Sequence, residues 1–273
     1  MSGDPDIDSI RARSFGEVAG RYDRYRPRYP DRLVDDIVAM LPGRRVLEVG
    51  AGTGIATTAF AARGMAMTCV EPDPEMAAVL SAKVGGDADV HVEVASFENW
   101  SATRQATFDG LISAQAWHWT DPATRWADAG AAVDGGGVIA LFWNGEDYPD
   151  RRVVDAFTDA YDRRGIGIRS VRGPSGAAPG PDGVADRGRP DGWPEIDADA
   201  RTYFTDLRMR RYHWTRRMTV ADLVAVANTT SAHLILPPEV REDLTAELVT
   251  TLTGYGDEVE VAMSTDLATA VRR

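Results

Sequence analysis

The pattern of apolar and polar positions divides the chain into two halves that read differently. Between residues 44 and 144, short apolar runs alternate with stretches whose apolar residues recur at helical spacing. "RRVLEVG" predicts a first strand, and "IATTAFAARG" a helix closed by Gly64. "MAMTCVE" predicts a second strand, and "PEMAAVLSAKVGG" a helix with a glycine stop. "DVHVEVA" alternates strictly and predicts a third strand, and "FDGLISA" a fourth. "DPATRWADAGAAVDGGG" reads as a helix with Asp121 as N-cap and Pro122 in its first position, ahead of a fifth strand, "VIALFWN". Such alternation predicts a parallel sheet with helices on both faces. Sheets of this kind bind ligands beyond the carboxyl ends of their strands.

The second half lacks that rhythm. "YPDRRVVDAFTDAYDRRG" is an amphipathic helix. Residues 165–200 are rich in Gly, Pro and Asp and show no apolar period, which reads either as a mobile cover or as a disordered insertion. "RTYFTDLRMRRYHW" then predicts a strand, residues 219–256 predict helices, and "DEVEVAMSTDLATAVRR" a final strand. There is no internal repeat.

Composition narrows the partners. A chain of 273 residues with 44% apolar and 26% charged residues is an ordinary globular length and make-up. Its 30 basic and 42 acidic side chains leave a formal charge of −12, which repels phosphate backbones and excludes nucleic acid as the expected partner. The exception is a run of arginines (Arg11, Arg13, Arg21, Arg24, Arg26 and Arg28) interleaved with aromatics. The one cysteine, Cys69, lies in an apolar run and reads as a buried thiol. Lys83 is the only lysine, so candidates for a Schiff base are few. No His, Cys, Asp and Glu cluster has metal-ligand spacing, so no metal is expected. The acidic opening "MSGDPDIDSIRARSF" is unlike a signal peptide and no apolar run is long enough to span a bilayer, so the expectation is a cytoplasmic protein without a membrane partner, as a monomer or homodimer.

The chemistry concentrates at "RVLEVGAGTG". Gly50, Gly52 and Gly54 alternate between a strand and a helix, where backbone amides meet a ligand closely. Glu71 closes the next strand, and a carboxylate there accepts both hydroxyls of a ribose. Together they indicate a nucleoside-containing cofactor. The dinucleotide fingerprint fails, because the third glycine comes one residue early. Glu48, two residues before Gly50, would also repel a pyrophosphate. A sulfonium nucleoside, S-adenosyl-L-methionine, suits that acid better than a nicotinamide dinucleotide does.

"VLEVGAGTG" with "CVEPDPEM" resembles motifs I and II of class I S-adenosylmethionine-dependent methyltransferases. "ASFENW" is similar to the family's adenine-contacting segment, and "FDGLISAQAWHWTD" to its fourth-strand motif beside the transferred methyl. "FGEVAGRYDRYRPRYP", the "YHW" strand and "STDLATAVRR" resemble the methyltransferase-11 branch, which includes trans-aconitate methyltransferase-like enzymes. The resemblance covers most of the chain outside 165–200. It implies an α/β fold: a Rossmann-like seven-stranded sheet, mostly parallel with an antiparallel last strand. It also implies one methyltransferase domain over 1–273, with a helical lid segment at 1–44, a cofactor-binding core at 45–145, a flexible insertion at 165–200 and C-terminal strands and helices at 201–273.

Carried over by residue, the resemblance implies that Glu48 orders the loop and meets the methionine moiety directly or through water. Gly50, Gly52, Thr53 and Gly54 line that moiety and the ribose, while Glu71 binds the ribose hydroxyls. Pro72 packs on the adenine, and Ser96 and Phe97 hold its edge and face. Many relatives have an acid at or beside Ser96; here Glu98 is nearest, two positions on, which leaves the adenine contact to the main chain. Gln115 would touch the cofactor through its backbone. Tyr22 or Arg26 would reach the methionine carboxylate.

Methyl transfer needs a base only when the nucleophile arrives protonated. His118, between Trp117 and Trp119, is the candidate, expected to be partly desolvated and so neutral; the alternative is a packing histidine. Trp117, Trp119, Tyr25, Tyr29, Trp143 and Asn144 are candidate walls for a small-molecule acceptor. The branch implies a carboxylic acid methylated on oxygen, with Arg26 or Arg28 as cationic partner. The alternatives are O-, N- or C-methylation of a specialised metabolite, a nicotinamide oxidoreductase, or a non-catalytic cofactor-binding protein.

Overall fold

The computed structural model describes residues 19–103, 106–166, 184–186 and 199–273. In chain order the elements are α1 (Ala19–Tyr25), α2 (Asp31–Met40), β1 (Arg45–Val49), α3 (Ile55–Ala61), β2 (Ala66–Glu71), α4 (Pro74–Val84), β3 (Val90–Val94), α5 (Phe97–Thr103) and β4 (Phe108–Ala114). A 3-10 turn (Trp117–Trp119) leads to α6 (Arg125–Ala132), β5 (Val133–Asp147), α7 (Arg151–Asp162), β6 (Val184–Asp186), α8 (Ala200–Tyr203) and β7 (Phe204–Thr219). α9 (Val220–Ala227), α10 (Ser231–Leu234), α11 (Pro238–Thr253) and β8 (Glu258–Arg272) complete the chain.

The strands form one sheet in the order β3-β2-β1-β4-β5-β8-β7-β6. β1 to β5 pair in parallel, and β8, the last strand, is antiparallel to both β5 and β7. The seven expected strands are therefore all present, in a Rossmann-like order. The eighth, β6, adds three residues antiparallel to β7 at the edge, inside the stretch read as an insertion. Most of that expected insertion, residues 167–183 and 187–198, lies outside the described residues, as do residues 1–18 of the expected lid segment, including Arg11 and Arg13.

Period-two alternation explains how the sheet is covered. On β1, Val46 packs with Leu33 and Phe60 of the helices on one face, while Leu47 packs with Phe97, Trp100 and Trp126 on the other. Both Val46 and Leu47 are fully buried, as a central parallel strand requires. A third apolar cluster joins α7, α9 and α11 through Phe157, Leu223, Leu244 and Leu248 to Val261 and Met263 of β8.

Local sequence sets several boundaries. Asp73 caps α4 by accepting from Glu75 N (2.9 Å) and Met76 N (3.1 Å), and Gly85, at φ +56°, ends it. Asp150 caps α7 in the same way through Arg152 N. One expected cap moves: Asp121 does not begin a helix but closes a turn, accepting from Ala123 N on its side chain and from Thr124 N and Arg125 N on its carbonyl. The helix starts at Arg125, and the glycines after it belong to β5.

Candidate functional site

The site is built at the carboxyl ends of β1, β2 and β4. Gly50 N and Ala51 N both donate to Val70 O, so the chain leaves β1 tethered to β2 before it turns. Gly50, Gly52 and Gly54 all have positive φ (+71°, +57° and +79°). A Cβ on Gly50 would lie 2.3 Å from Ala116 Cβ, and one on Gly54 would lie 2.3 Å from Leu80 Cδ1. At Gly52 a Cβ would meet nothing within 4 Å. Two glycines thus answer to packing, and the middle one faces open space.

That space is a cavity of about 280 Å³. Gly50, Gly52, Glu71, Pro72 and Met76 line one side, and Ser96, Phe97 and Glu98 line another. Gln115, Ala116, His118, Trp119 and Thr120 contribute a third stretch, and Tyr22, Arg26 and Thr230 complete the lining. Of the residues singled out in the sequence, Tyr22, Arg26, Gly50, Gly52, Glu71, Pro72, Ser96, Phe97, Gln115, His118 and Trp119 therefore meet around one space.

Glu71 is buried, its Oε2 accepting from Gly52 N at 2.7 Å and its Oε1 from Asp73 N at 2.9 Å. Burial pushes its pKa up to about 7, against the lowering effect of those two amides. Arg26 lies with its guanidinium carbon 5.0 Å from the centre of the Tyr22 ring. Its Nε is buried, and no hydrogen-bond acceptor meets it among the described residues. An uncompensated donor of that kind is costly unless an anion meets it. Gln115 has φ +61°, a strained conformation for a side-chain-bearing residue, held by its N–H to Phe142 O (2.9 Å) and its Nε2 to Asn144 O (3.3 Å).

Other expected site residues lie elsewhere. Glu48 does not line the cavity: on the inward face of β1 it is 1% exposed, and its Oε2 accepts from Thr57 Oγ1 at 2.7 Å. Burial raises its pKa to about 7. Thr53 and Gly54 also lie off the wall; Thr53 is buried, donating to Asp23 Oδ1 at 3.0 Å. Trp117 is a core residue, packed 5.1 Å from Trp126 and 6.0 Å from Phe97 between ring centroids, because the turn directs it inward while Trp119 reaches the cavity. His118 is exposed at the mouth, so the partial desolvation expected of it is absent.

Tyr25 packs against the α7, α9 and α11 cluster, and Tyr29 lies edge-on to Phe142 with ring centroids 4.8 Å apart. Trp143 packs against the core on the α5 and α6 side. Asn144 sits behind Gln115, accepting from Thr265 Oγ1 at 2.6 Å and donating to Arg28 O at 3.4 Å. These four support the wall rather than form it. Sequence reading also missed residues. Met76, Thr120 and Thr230 line the cavity, and Thr230 comes from the turn between α9 and α10, which no local pattern connects to the glycine loop. Among the described residues no group of three metal-ligating side chains is gathered. No described helix is long and apolar enough to cross a membrane.

A buried acid at the end of β2, a loop of positive-φ glycines and the strand order β3-β2-β1-β4-β5 with an antiparallel strand beside β5 make the sheet Rossmann-like. Residues 46–133 match the family model described as the methyltransferase domain. Uncharacterised methyltransferases of Mycobacterium tuberculosis H37Rv and Mycobacterium bovis are each 37% identical over 140 residues, covering 49% of this chain and 53% of theirs. The chain thus spans about half the length of the curated relatives it matches. Two solved structures share the fold. A proposed type II methyltransferase from Anaeromyxobacter dehalogenans aligns with TM-score 0.59 at 18% identity, over 90% of this chain and 98% of its own. Phosphoethanolamine N-methyltransferase 2 of Haemonchus contortus, in complex with phosphomonomethylethanolamine and S-adenosylhomocysteine, aligns with TM-score 0.50 at 15% identity, over 94% of this chain and 57% of its own.

Proposed function

We propose that this protein transfers a methyl group from S-adenosylmethionine to a small-molecule acceptor. The observation that carries the reading is that Glu71 and Arg26 line one cavity. A carboxylate suits ribose hydroxyls, and a guanidinium with an unmatched buried Nε suits the cofactor's carboxylate. Gly52 lines the same cavity, and a Cβ there would meet nothing within 4 Å. The Haemonchus enzyme, which holds S-adenosylhomocysteine, supports the same class of cofactor here.

When bound, S-adenosylmethionine supplies a methyl group activated by its sulfonium. The chain's own residues bind and orient: Glu71 accepts, Arg26 donates, Pro72, Phe97 and Met76 exclude water, and Ser96 and Glu98 face the base. Much of the rate then comes from alignment of nucleophile and methyl. The residue roles, the single-domain organisation and a cytoplasmic setting are all part of this proposal.

For the acceptor, the resemblance favours a carboxylic acid methylated on oxygen. Arg28 does not supply its counter-charge at the cavity: it is exposed, and its guanidinium bonds Asp23. Arg26 is the one arginine or lysine among the described lining residues, and the cofactor's carboxylate claims it. This favours a second reading, a hydroxyl or amine acceptor whose proton passes to His118 at the mouth. Calorimetric titration with S-adenosylmethionine, S-adenosylhomocysteine and NADH tests the cofactor; binding of NADH alone would overturn the reading. Methyl release from labelled cofactor with acid, alcohol and amine panels then separates the two acceptors.

A further inference from the structure

One carboxylate joins α1 to the glycine loop and to α4. Asp23 lies on α1, next to Tyr22 and three residues before Arg26, the two side chains of this segment that line the cavity. Its Oδ1 accepts from Thr53 Oγ1 at 3.0 Å and from Lys83 Nζ. Lys83 Nζ also donates to Thr53 O, at 2.6 Å. Three segments distant in sequence thus meet: α1, the glycine loop at its middle residues, and the last turn of α4. Arg28 adds a bond from Nη2 to Asp23 O at 3.1 Å, which braces the end of α1.

The geometry is stronger than an ordinary surface pair. Asp23 and Lys83 side chains are 22% and 23% exposed, so solvent screens them only in part. Each makes a second bond to Thr53, which restrains both long side chains at once. A cation in the last turn of α4 also meets the negative end of that helix. Thr53 stands between two glycines of positive φ, a stretch whose backbone is intrinsically permissive and needs outside anchoring to keep one shape. Lys83 is also the only lysine of the chain.

We propose that Asp23, Lys83 and Thr53 form a latch that holds the Tyr22 and Arg26 cover down on the cofactor, making Asp23 and Lys83 positioning residues that set how fast the cofactor leaves. The inference rests on the reading of the cavity as the S-adenosylmethionine site. The latch acts on binding and release; neither residue touches the reacting atoms.

The test uses the full chain with Lys83→Met, Asp23→Asn and the double variant. Release of S-adenosylhomocysteine is followed by stopped-flow tryptophan fluorescence, and backbone hydrogen exchange is read over residues 19–26. Each single variant is expected to speed release by about tenfold, the scale of one charge-assisted bond lost. The double variant should be no faster than the singles, because both remove one shared interaction. With saturating cofactor, turnover should be kept while the KM for cofactor rises. Wild-type release in both single variants, or additive acceleration in the double, would overturn the latch. Thr53→Val, which removes one bond only, should shift release in the same direction by less and serves if the charged variants fold poorly. Should the wild-type chain bind no S-adenosylhomocysteine, the cofactor reading fails by itself. The latch is then judged on the unliganded protein, where faster exchange at 19–26 in Lys83→Met supports it and unchanged exchange refutes it.

Discussion

Glu71 is the residue on which the cofactor reading can be tested most directly. With a pKa of about 7 in the unliganded protein, it is protonated in much of the population below neutrality. Ribose hydroxyls donate, so the ionised form is the binding form. Affinity for S-adenosylhomocysteine should therefore rise by about tenfold between about pH 6 and about pH 8 and then level off, by proton linkage. Glu71→Ala should weaken binding by about 1–3 kcal/mol and abolish that pH dependence, as isothermal titration would show. His118 poses a different question. It is exposed and holds none of the cofactor contacts proposed for Glu71 and Arg26, so His118→Ala should leave cofactor affinity unchanged. It should lower turnover on a hydroxyl or amine acceptor by about a hundredfold if the histidine takes the proton; equal turnover on every acceptor would remove it from the chemistry.

At the scale of elements, the glycine loop and the tryptophan turn separate space from packing. Gly50→Ala would press a Cβ against Ala116 in a left-handed backbone, so chemical denaturation should show a loss of about 1–3 kcal/mol. Gly52→Ala meets no neighbour. It should cost about 1 kcal/mol of backbone strain and act mainly on cofactor affinity. The same contrast holds along "WHW". Trp117→Ala empties a fully buried site and should destabilise by about 3–5 kcal/mol, whereas Trp119→Ala should change ligand kinetics more than stability. These elements also mark how far the sequence could be read. Apolar period and glycine spacing were enough to place β1 through β5, the loop, and the acid at the end of β2. They were not enough to assign Trp117 and Trp119 to opposite sides, because both are large, apolar and one residue from a histidine. That choice came from where Phe97 and Trp126 leave room.

For the molecule as a whole, buried ionisable groups link stability to pH. Glu48 and Glu71, each raised to about 7 by burial, bind more protons folded than unfolded between their ordinary range and neutrality. Their contribution to stability is therefore lost as pH rises through that window. His233, buried and lowered to about 4 beside Tyr161 and Asn228, works in the opposite direction: the unfolded chain takes its proton first, so stability is lost as pH falls below the ordinary histidine range. Two carboxyls outweigh one imidazole. From these groups the unliganded protein should lose stability between about pH 5 and about pH 7.5, measured by urea midpoints. Glu48→Gln, which keeps an acceptor for Thr57, should flatten the slope.

The order of strands and helices, the loop that bares its backbone and the carboxylate that faces it follow from local properties: side-chain period, φ restriction and caps, each set within a few residues. Which residues became cavity and which became core was decided by tertiary structure. Glu48 went under the loop because both faces of a central strand are covered. Thr230 reached the cavity from the turn after α9, far along the chain from the glycine loop, because the helices after β7 fold back over the sheet. Asp23 found Lys83 only when α1 came to rest on the loop. Period and spacing state which way a side chain faces along its own element; what stands opposite it depends on segments distant in the chain, whose approach is set by the packing of the whole.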